Sequence, residues 1–480
     1  MAREKADGLG DSNRFDVIVL GVGSCGEDLS LQLIDAGLKV LGIEAHLVGG
    51  ECPYYACLPS KVMIRSGNIL KEALRVSAMS GHAEVTADWE KVAARVRETT
   101  GDWDDSFAVN RYHARGGRLV KGYGKLIGPD TVSVDNEVFT ARQGIVIATG
   151  TKPFIPEIPG LEEVNYLTTR DIIQLEKLPA SMTIIGGGPV SCELGQVLAR
   201  FGAEIKIIQH HDQLIPREEP EAAITIEEVF KSEGIKVKTG AVAEKIGFKN
   251  GQISVFLSNG EEVISESLLI ATGRVTDLSG LGLESVGLDS KAKFIDVDKR
   301  MRAAEGIWAM GDVTGKALLT SVADYQSAII AADILGREHP PAQYHAIPRV
   351  IFTDPEVGAV GMTEATARDA GISVSVVLKQ VPSTIRGWLH SSEQGIIKLI
   401  IDRDADILVG ATAVGPHAGE MLGMLSLAVH ARVPMEELRN MIYGFPTFCG
   451  GIGEAIGAYA RGVTTVFDPT YSVSEGRRVE

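Results

Sequence analysis

One pattern occurs twice in these 480 residues and limits the fold more than any other feature: a short apolar run ends in a glycine-rich turn that opens a helix. In the first copy, Phe15-Asp-Val-Ile-Val-Leu20 leads into Gly21-Val-Gly23-Ser24-Cys25-Gly26 and a helical stretch from Leu29 to Ala36. Gly21 suits the tight turn, Gly23 lets the backbone approach a pyrophosphate, and Gly26 lets the helix pack closely on the strand. The free N–H groups and positive dipole at the start of that helix favour phosphate. A second strand, Lys39 to Ile43, ends in Glu44, where a carboxylate can bind a ribose diol.

The second copy runs from the strand Met182–Ile185 through Gly186-Gly-Gly188-Pro189-Val190-Ser191 into a helix from Cys192 to Phe201 and the strand Glu204–Ile208. Two dinucleotides are to be held. Ser191 replaces the third glycine, and the strand ends in Gln209-His210-His211 instead of an acid. An acid there would repel a 2′-phosphate, whereas neutral or cationic groups accept one, with Arg217 close by in sequence. NADPH is favoured over NADH, and a dual-specific enzyme would carry the same residues. Each fold is followed by an Ala-Thr-Gly tripeptide, Ala148-Thr149-Gly150 and Ala271-Thr-Gly273, after an apolar strand. Later, Ile307-Trp-Ala-Met-Gly-Asp312 places an acid just past a strand, suited to a polyol hydroxyl.

Glycine, at 54 of 480 residues, fits a chain with many such crossovers. Acidic residues outnumber basic ones 63 to 47, and the net charge of −16 opposes phosphate-backbone and anionic-lipid surfaces, so neither nucleic acid nor membrane is an expected partner. The polar stretch Met1–Arg14 lacks the apolar centre of a signal peptide, and no run is long enough for a membrane span; a cytoplasmic protein is expected. Five cysteines, Cys25, Cys52, Cys57, Cys192 and Cys449, are too few for a disulfide scaffold, and any disulfide is expected to be catalytic. No metal site is expected.

Cys52-Pro-Tyr-Tyr-Ala-Cys57 follows Gly49-Gly50-Glu51 and precedes Pro59-Ser-Lys61, at what reads as the start of a helix running to about Val76. In a regular helix, residues five apart are roughly 8 to 9 Å apart between Cα atoms, beyond the ~7 Å limit for a disulfide. A bridge therefore needs a distorted first turn, which Pro53 and Pro59 permit. A thiolate near the helix start and Lys61 would be stabilised. Spacing alone leaves open two unrelated buried cysteines.

With these residues in place, the chain resembles the pyridine nucleotide-disulfide oxidoreductase family of dihydrolipoamide dehydrogenase, glutathione reductase and mercuric reductase, from Phe15 to about Gly462. The family's Gly-Gly-Thr-Cys, four residues, Cys, then Pro-Ser-Lys is matched by Gly49-Gly-Glu-Cys52, Pro-Tyr-Tyr-Ala, Cys57, Leu, Pro59-Ser-Lys61. The resemblance implies a redox-active Cys52–Cys57 disulfide, with Cys52 facing the substrate and Lys61 against the flavin of FAD. It adds Ser24, Gly50, Glu51, Gly124, Asp312 and Thr320 to the FAD contacts. It places Glu193 beside the nicotinamide, and Val242 and Arg274 in the second nucleotide site. Ile347-Pro-Arg-Val-Ile-Phe-Thr-Asp-Pro-Glu356 would open an interface domain, hence a homodimer.

The match fails where dithiol-reducing members carry a His-Pro-Thr segment and a glutamate five residues after the histidine. Here the segment is Phe445-Pro-Thr447, and the glutamate position is Gly450. Tyr443 is a weak substitute base, Glu454 is displaced by four positions, and Cys449 is a third thiol able to relay electrons or bind a soft metal. Glu51, in place of threonine, is expected to raise the pKa of Cys52.

The expected fold class is α/β, with two Rossmann-like dinucleotide-binding domains, for FAD and NAD(P), and an α+β carboxyl-terminal dimerisation domain. The expected divisions are 1–156 (FAD, with the cysteine pair), 157–278 (NAD(P)), 279–345 (completing the FAD domain) and 346–480 (dimerisation). The expected function is an FAD-dependent NAD(P)H oxidoreductase that passes electrons through the cysteine pair to a small non-dithiol acceptor such as a quinone or metal ion. The alternatives are a disulfide reductase with a substitute proton donor and a slow-turnover flavoprotein redox sensor.

Overall fold

The strand Arg14–Leu20 is buried along almost its whole length because both of its faces are covered, which is why its sequence is a continuous apolar run. In the computed structural model, which describes residues 11–463, it is the centre of a parallel sheet. Val40–Glu44 pairs on one side and Glu137–Ile147 on the other, with Arg118–Lys121 and Ile307–Ala309 extending the sheet outward. Alternate residues feed two cores. Phe15, Ile18, Leu20, Ile43, Phe139 and Ile145 pack on one face. Val17, Val19, Val40 and Val146 meet Leu29 and Leu33 of the helix Ser24–Asp35, and Ile329 and Ile330 of the helix Thr320–Ile334, on the other. These elements form one compact unit, made of the chain up to Val62, Ala93–Phe154 and Gly273–Tyr344.

A second unit, Met63–Val92, Ile155–Thr272 and the chain from His345 onward, contains three sheets. Ser181–Ile185 is flanked in parallel by Glu204–Ile208 and Ser267–Ile270, with Lys236–Lys238 at the edge. Ala243–Lys249, Gln252–Leu257 and Glu262–Ser265 form an antiparallel meander. Five antiparallel strands from Pro348–Ile351 to Ile407–Gly415 are backed by the helices Ala418–His430 and Phe448–Ala460. Two parallel, helix-covered sheets are the α/β parts expected from the repeated motif, and the antiparallel sheet with helices is the α+β part that the resemblance implies.

The two parallel sheets share a detail that explains the paired Ala-Thr-Gly tripeptides. Gly21, at φ +92°, lies so close to the next crossover that a Cβ would be 2.4 Å from the Ala148 carbonyl oxygen. Gly186, at φ +108°, stands in the same relation to Ala271, at 2.3 Å. Each tripeptide is the wall against which its glycine turn folds. The expected amino-terminal features of Met1–Arg14 lie, up to residue 10, outside the described residues, and no described helix is long and apolar enough to cross a membrane.

One charged group is sealed within the second unit. Lys398, 2 % exposed on the strand Ile396–Asp402, places Nζ 2.8 Å from Glu219 and Glu221 and 3.0 Å from Glu364. Removing one partner of a buried ion cluster leaves the others uncompensated. Lys398→Met is expected to lower stability by about 3 kcal/mol, read as a drop in the urea midpoint at unchanged slope; an unchanged midpoint would contradict this.

Candidate active site

The first glycine turn builds a cradle lined by backbone. The helix Ser24–Asp35 starts at Gly23, whose extended backbone leaves the first N–H groups without a side-chain cap. A Cβ on Gly23 would find only Gly50 Cα, at 4.0 Å, so the space over the helix start is open. Gly50, at φ +67°, is pressed the other way: its Cβ would come within 2.8 Å of Gly23 Cα. The segment leading to the cysteines is thus laid directly along the first glycine turn. Glu44 closes the far end, accepting hydrogen bonds from the amides of Val22 and His46, both at 2.8 Å. Gly124 starts the strand Gly124–Gly128, and the Gly122 amide bonds the Glu44 carbonyl at 2.9 Å. Open glycine backbone, an uncapped helix start and a carboxylate at the strand end fit a dinucleotide such as FAD.

Around Glu51 the structure gathers a polar network. Asp312 accepts from the Thr151 hydroxyl at 2.7 Å, and Arg274 donates to the same hydroxyl oxygen at 2.8 Å and to the Thr151 carbonyl at 2.7 Å. Arg274 also lies 3.8 Å from the Glu51 carboxylate and 4.0 Å from Asp312. Burial and the Glu51 charge hold the Asp312 pKa up, while Thr151 and Arg274 oppose them. Arg274 lies in the first unit, beside Thr151 and Asp312. Thr151 has no motif of its own, but it directly follows Ala148-Thr149-Gly150, the wall of the first turn.

The cysteines sit on two helices, not one. Glu51–Tyr54 ends, Tyr55 leaves the helical region at φ −134° and ψ −5°, and a new helix begins at Cys57 and runs to Met79. This break is the distortion that a five-residue spacing requires. The two sulfurs are thiols that hydrogen-bond to each other. Thr320 Oγ1, at the start of its helix, is 3.4 Å from Cys57 Sγ. Bonds from Cys52 and Thr320, together with the Lys61 charge one turn along, outweigh burial and lower the Cys57 pKa to about 6. Donation toward Cys57, followed by burial, raises that of Cys52, with Thr320 and Ser24 opposing. The rise at Cys52 thus has a different main source from the Glu51 carboxylate, which faces Arg274. Cys25, in the first turn of the helix Ser24–Asp35, donates to the Thr320 carbonyl at 3.5 Å, and burial pushes its thiol up to about 12.

The second turn shows the same opening. The helix Pro189–Arg200 starts at an uncapped Gly188, beside which a Cβ would meet nothing within 4 Å. Val190 is exposed, and Ser191 is fully buried beneath the turn. Gln209 is buried at the end of its strand, and the His210 and His211 rings lie tilted by 41° with centroids 3.9 Å apart, both exposed. Burial, then the neighbouring His211, lowers the His210 pKa. Val242 is exposed just before the meander. Glu193, 6 % exposed, accepts from the Phe352 amide at 2.8 Å. One helical turn on, Gln196 accepts from the Asp354 amide, also at 2.8 Å, so this helix face holds the start of the interface segment.

In the carboxyl-terminal segment the substitute groups are engaged elsewhere. The Tyr443 hydroxyl donates to the Leu438 carbonyl at 2.8 Å, and burial raises its pKa, so it is a poor proton acceptor. Glu454 pairs with Lys379 at 3.0 Å. Cys449 is half-buried against the interface core, and burial raises its pKa too. Gly450 is part of a cap, donating its amide to Thr447 Oγ1 at 2.9 Å, and Phe445 is 81 % exposed.

Two glycine-turn nucleotide folds, with a thiol pair laid along the first, define a flavin- and nicotinamide-dependent thiol oxidoreductase. Residues 15–331 match the model of the pyridine nucleotide-disulphide oxidoreductases, residues 347–456 match the dimerisation domain of the same proteins, and the chain belongs to this family. The second match supports the expected homodimer. A dihydrolipoyl dehydrogenase of Thermus scotoductus is 31% identical over 92% of this chain and 96% of its own length. A mercuric reductase of Staphylococcus aureus is 28% identical over 92% of this chain and 82% of its own. Among solved structures, LpdA of Mycobacterium tuberculosis superposes with a TM-score of 0.82 at 25% identity, covering 93% of this chain and 99% of that one. The protein is an enzyme, and FAD and NAD(P)H are the cofactors of its family.

The difference between the thiols is measurable. In the reduced protein, iodoacetamide modification of Cys57, followed by mass spectrometry, is expected to titrate with a midpoint near pH 6, since the thiolate is the reactive form above its pKa. Cys52 should react only at alkaline pH. Equal midpoints for the two would contradict the assignment.

Proposed function

We propose that the protein is an FAD-dependent NAD(P)H oxidoreductase whose Cys52–Cys57 pair passes electrons to a small acceptor that is not a dithiol, a quinone or a soft metal ion. Bound FAD supplies two-electron transfer between the nicotinamide and the cysteines. The chain's own residues then do the following. Gly23 and the start of its helix hold the pyrophosphate, Glu44 a ribose diol, and Asp312 and Thr151 the polyol side. Lys61 and Thr320 keep Cys57 as thiolate once the disulfide has opened. Cys52 retains its proton.

The observation that carries this reading is the carboxyl-terminal segment. Exchange with a dithiol needs a group that takes and returns a proton, worth about 10² to 10⁴ in rate. Phe445 and Gly450 stand where that pair would be, while Tyr443 and Glu454 are bound to other partners. A quinone takes its protons from water, and a soft cation is bound by thiolate itself. The relative named mercuric reductase supports an inorganic acceptor. The relative named dihydrolipoyl dehydrogenase favours the second reading, a disulfide reductase. With NADPH as donor, turnover with a benzoquinone or Hg²⁺ should exceed that with lipoamide or glutathione disulfide by at least 100-fold, and Phe445→His should raise only the disulfide rates. Faster turnover with either disulfide in the wild type would overturn the proposal.

The nucleotide is NADPH in this reading, because His210 and His211 can offer positive charge to a 2′-phosphate. That charge exists on His210 only below its lowered pKa, so KM for NADPH should fall as pH drops below about 6.5 while KM for NADH stays flat. His210→Glu should raise KM for NADPH at least tenfold. Parallel pH profiles for the two nucleotides would refute the role of the histidines.

A further inference from the structure

The segment that carries the cysteines is held from outside at both ends, and by the same turn. At its start, the amide of Val48 donates to Asp105 Oδ2 at 2.8 Å. At the break between the two cysteine helices, the indole N–H of Trp103 donates to the carbonyl of Tyr54 at 3.1 Å. Both holding groups belong to Gly101–Asp105, between the helices Trp89–Thr100 and Ser106–Ala114. Asp105 is itself fixed by an ion pair with Lys121.

The backbone of this turn is strained. Gly101, Asp102 and Trp103 have successive φ values of +59°, +56° and +59°. Side-chain-bearing residues avoid this region, and two in a row persist only where the surroundings impose them. The strain has a visible result: it aims the Trp103 ring at Tyr54, the last residue before the helix breaks. Carbonyls in the last turn of a helix lack intrahelical partners. A helix that ran on would give the Tyr54 carbonyl the amide four residues later, and Cys52 and Cys57 would then be too far apart to bond.

We infer that Gly101–Asp105 is a clamp on the redox segment, and that Trp103 is a positioning residue that keeps the helix broken at Tyr55 so that Cys52 and Cys57 can close into a disulfide. This rests on reading those cysteines as a redox pair. In closure, the two thiols give two electrons to the acceptor, or to oxidised dithiothreitol in the test, release what protons they carry and form one S–S bond; in opening, NAD(P)H through FAD, or dithiothreitol, returns the two electrons as the S–S bond breaks. A clamp that favours the broken helix favours the disulfide over the dithiol. Loss of the Trp103 N–H shifts the equilibrium toward dithiol.

The test is a redox titration of the FAD-loaded enzyme in buffers of reduced and oxidised dithiothreitol. Acid quenching, alkylation and mass spectrometry then count the Cys52–Cys57 bond. Dithiothreitol is oxidised to its cyclic disulfide as the protein pair is reduced. Trp103→Phe, which keeps a ring and removes the donor, should lower the equilibrium constant for the disulfide about tenfold, equivalent to about 30 mV for a two-electron couple. Asp105→Ala removes the oxygen that accepts the Val48 amide and so cuts the other end of the clamp; it should shift the constant the same way and serves if the first variant does not fold. Wild-type constants in a folded, FAD-loaded variant would overturn the clamp. Absence of a Cys52–Cys57 bond in the oxidised wild type would instead overturn the redox pair on which it rests.

Discussion

Everything the thiols do here depends on a helix that breaks. Cys52 and Cys57 are five residues apart, a spacing that an unbroken helix holds too wide for a bond. Tyr55 leaves the helical region, the short helix Glu51–Tyr54 stops, and a second helix restarts at Cys57. The restart puts Cys57 at a helix N-terminus, one turn before Lys61, with Thr320 against its sulfur. The break that brings the sulfurs together is therefore also the source of the asymmetry between them, one thiol lowered and the other raised.

The rest of the first unit holds this segment in place. Gly50 lies against Gly23, so the first glycine turn and the start of the cysteine segment form one surface. Glu51, adjacent to Cys52, is matched by Arg274 beside Asp312. A carboxylate next to a phosphate site would otherwise be repulsive; near a guanidinium that already serves Thr151 and Asp312 its charge is offset.

The fold was legible because its signals are local. A glycine triplet after an apolar strand needs only adjacent residues, and its repetition at Gly186 pointed to two nucleotide folds at once. The Ala-Thr-Gly tripeptides were visible as motifs, but their purpose, to be the wall for a glycine more than 80 residues away in each case, exists only in three dimensions. The cysteine spacing announced a distortion without its location or support. Trp103 and Asp105 lie about 50 residues from the atoms they hold, and Thr151 bridges two partners, Arg274 and Asp312, from distant parts of the chain. No pattern in the sequence marks such contacts. Tyr443 shows the converse: a hydroxyl near the expected position looked available in sequence, and its bond to the Leu438 carbonyl engages it.

The central claim is that electrons from the nicotinamide arrive at Cys52 and Cys57 and at no other cysteine. Anaerobic addition of one equivalent of NADPH to the oxidised, FAD-loaded enzyme, followed by alkylation and peptide mapping, tests it most directly. The account predicts two new thiols per chain, at Cys52 and Cys57, with Cys25, Cys192 and Cys449 labelled to the same extent before and after. No gain in thiols, or a gain at Cys25 or Cys449, would contradict it.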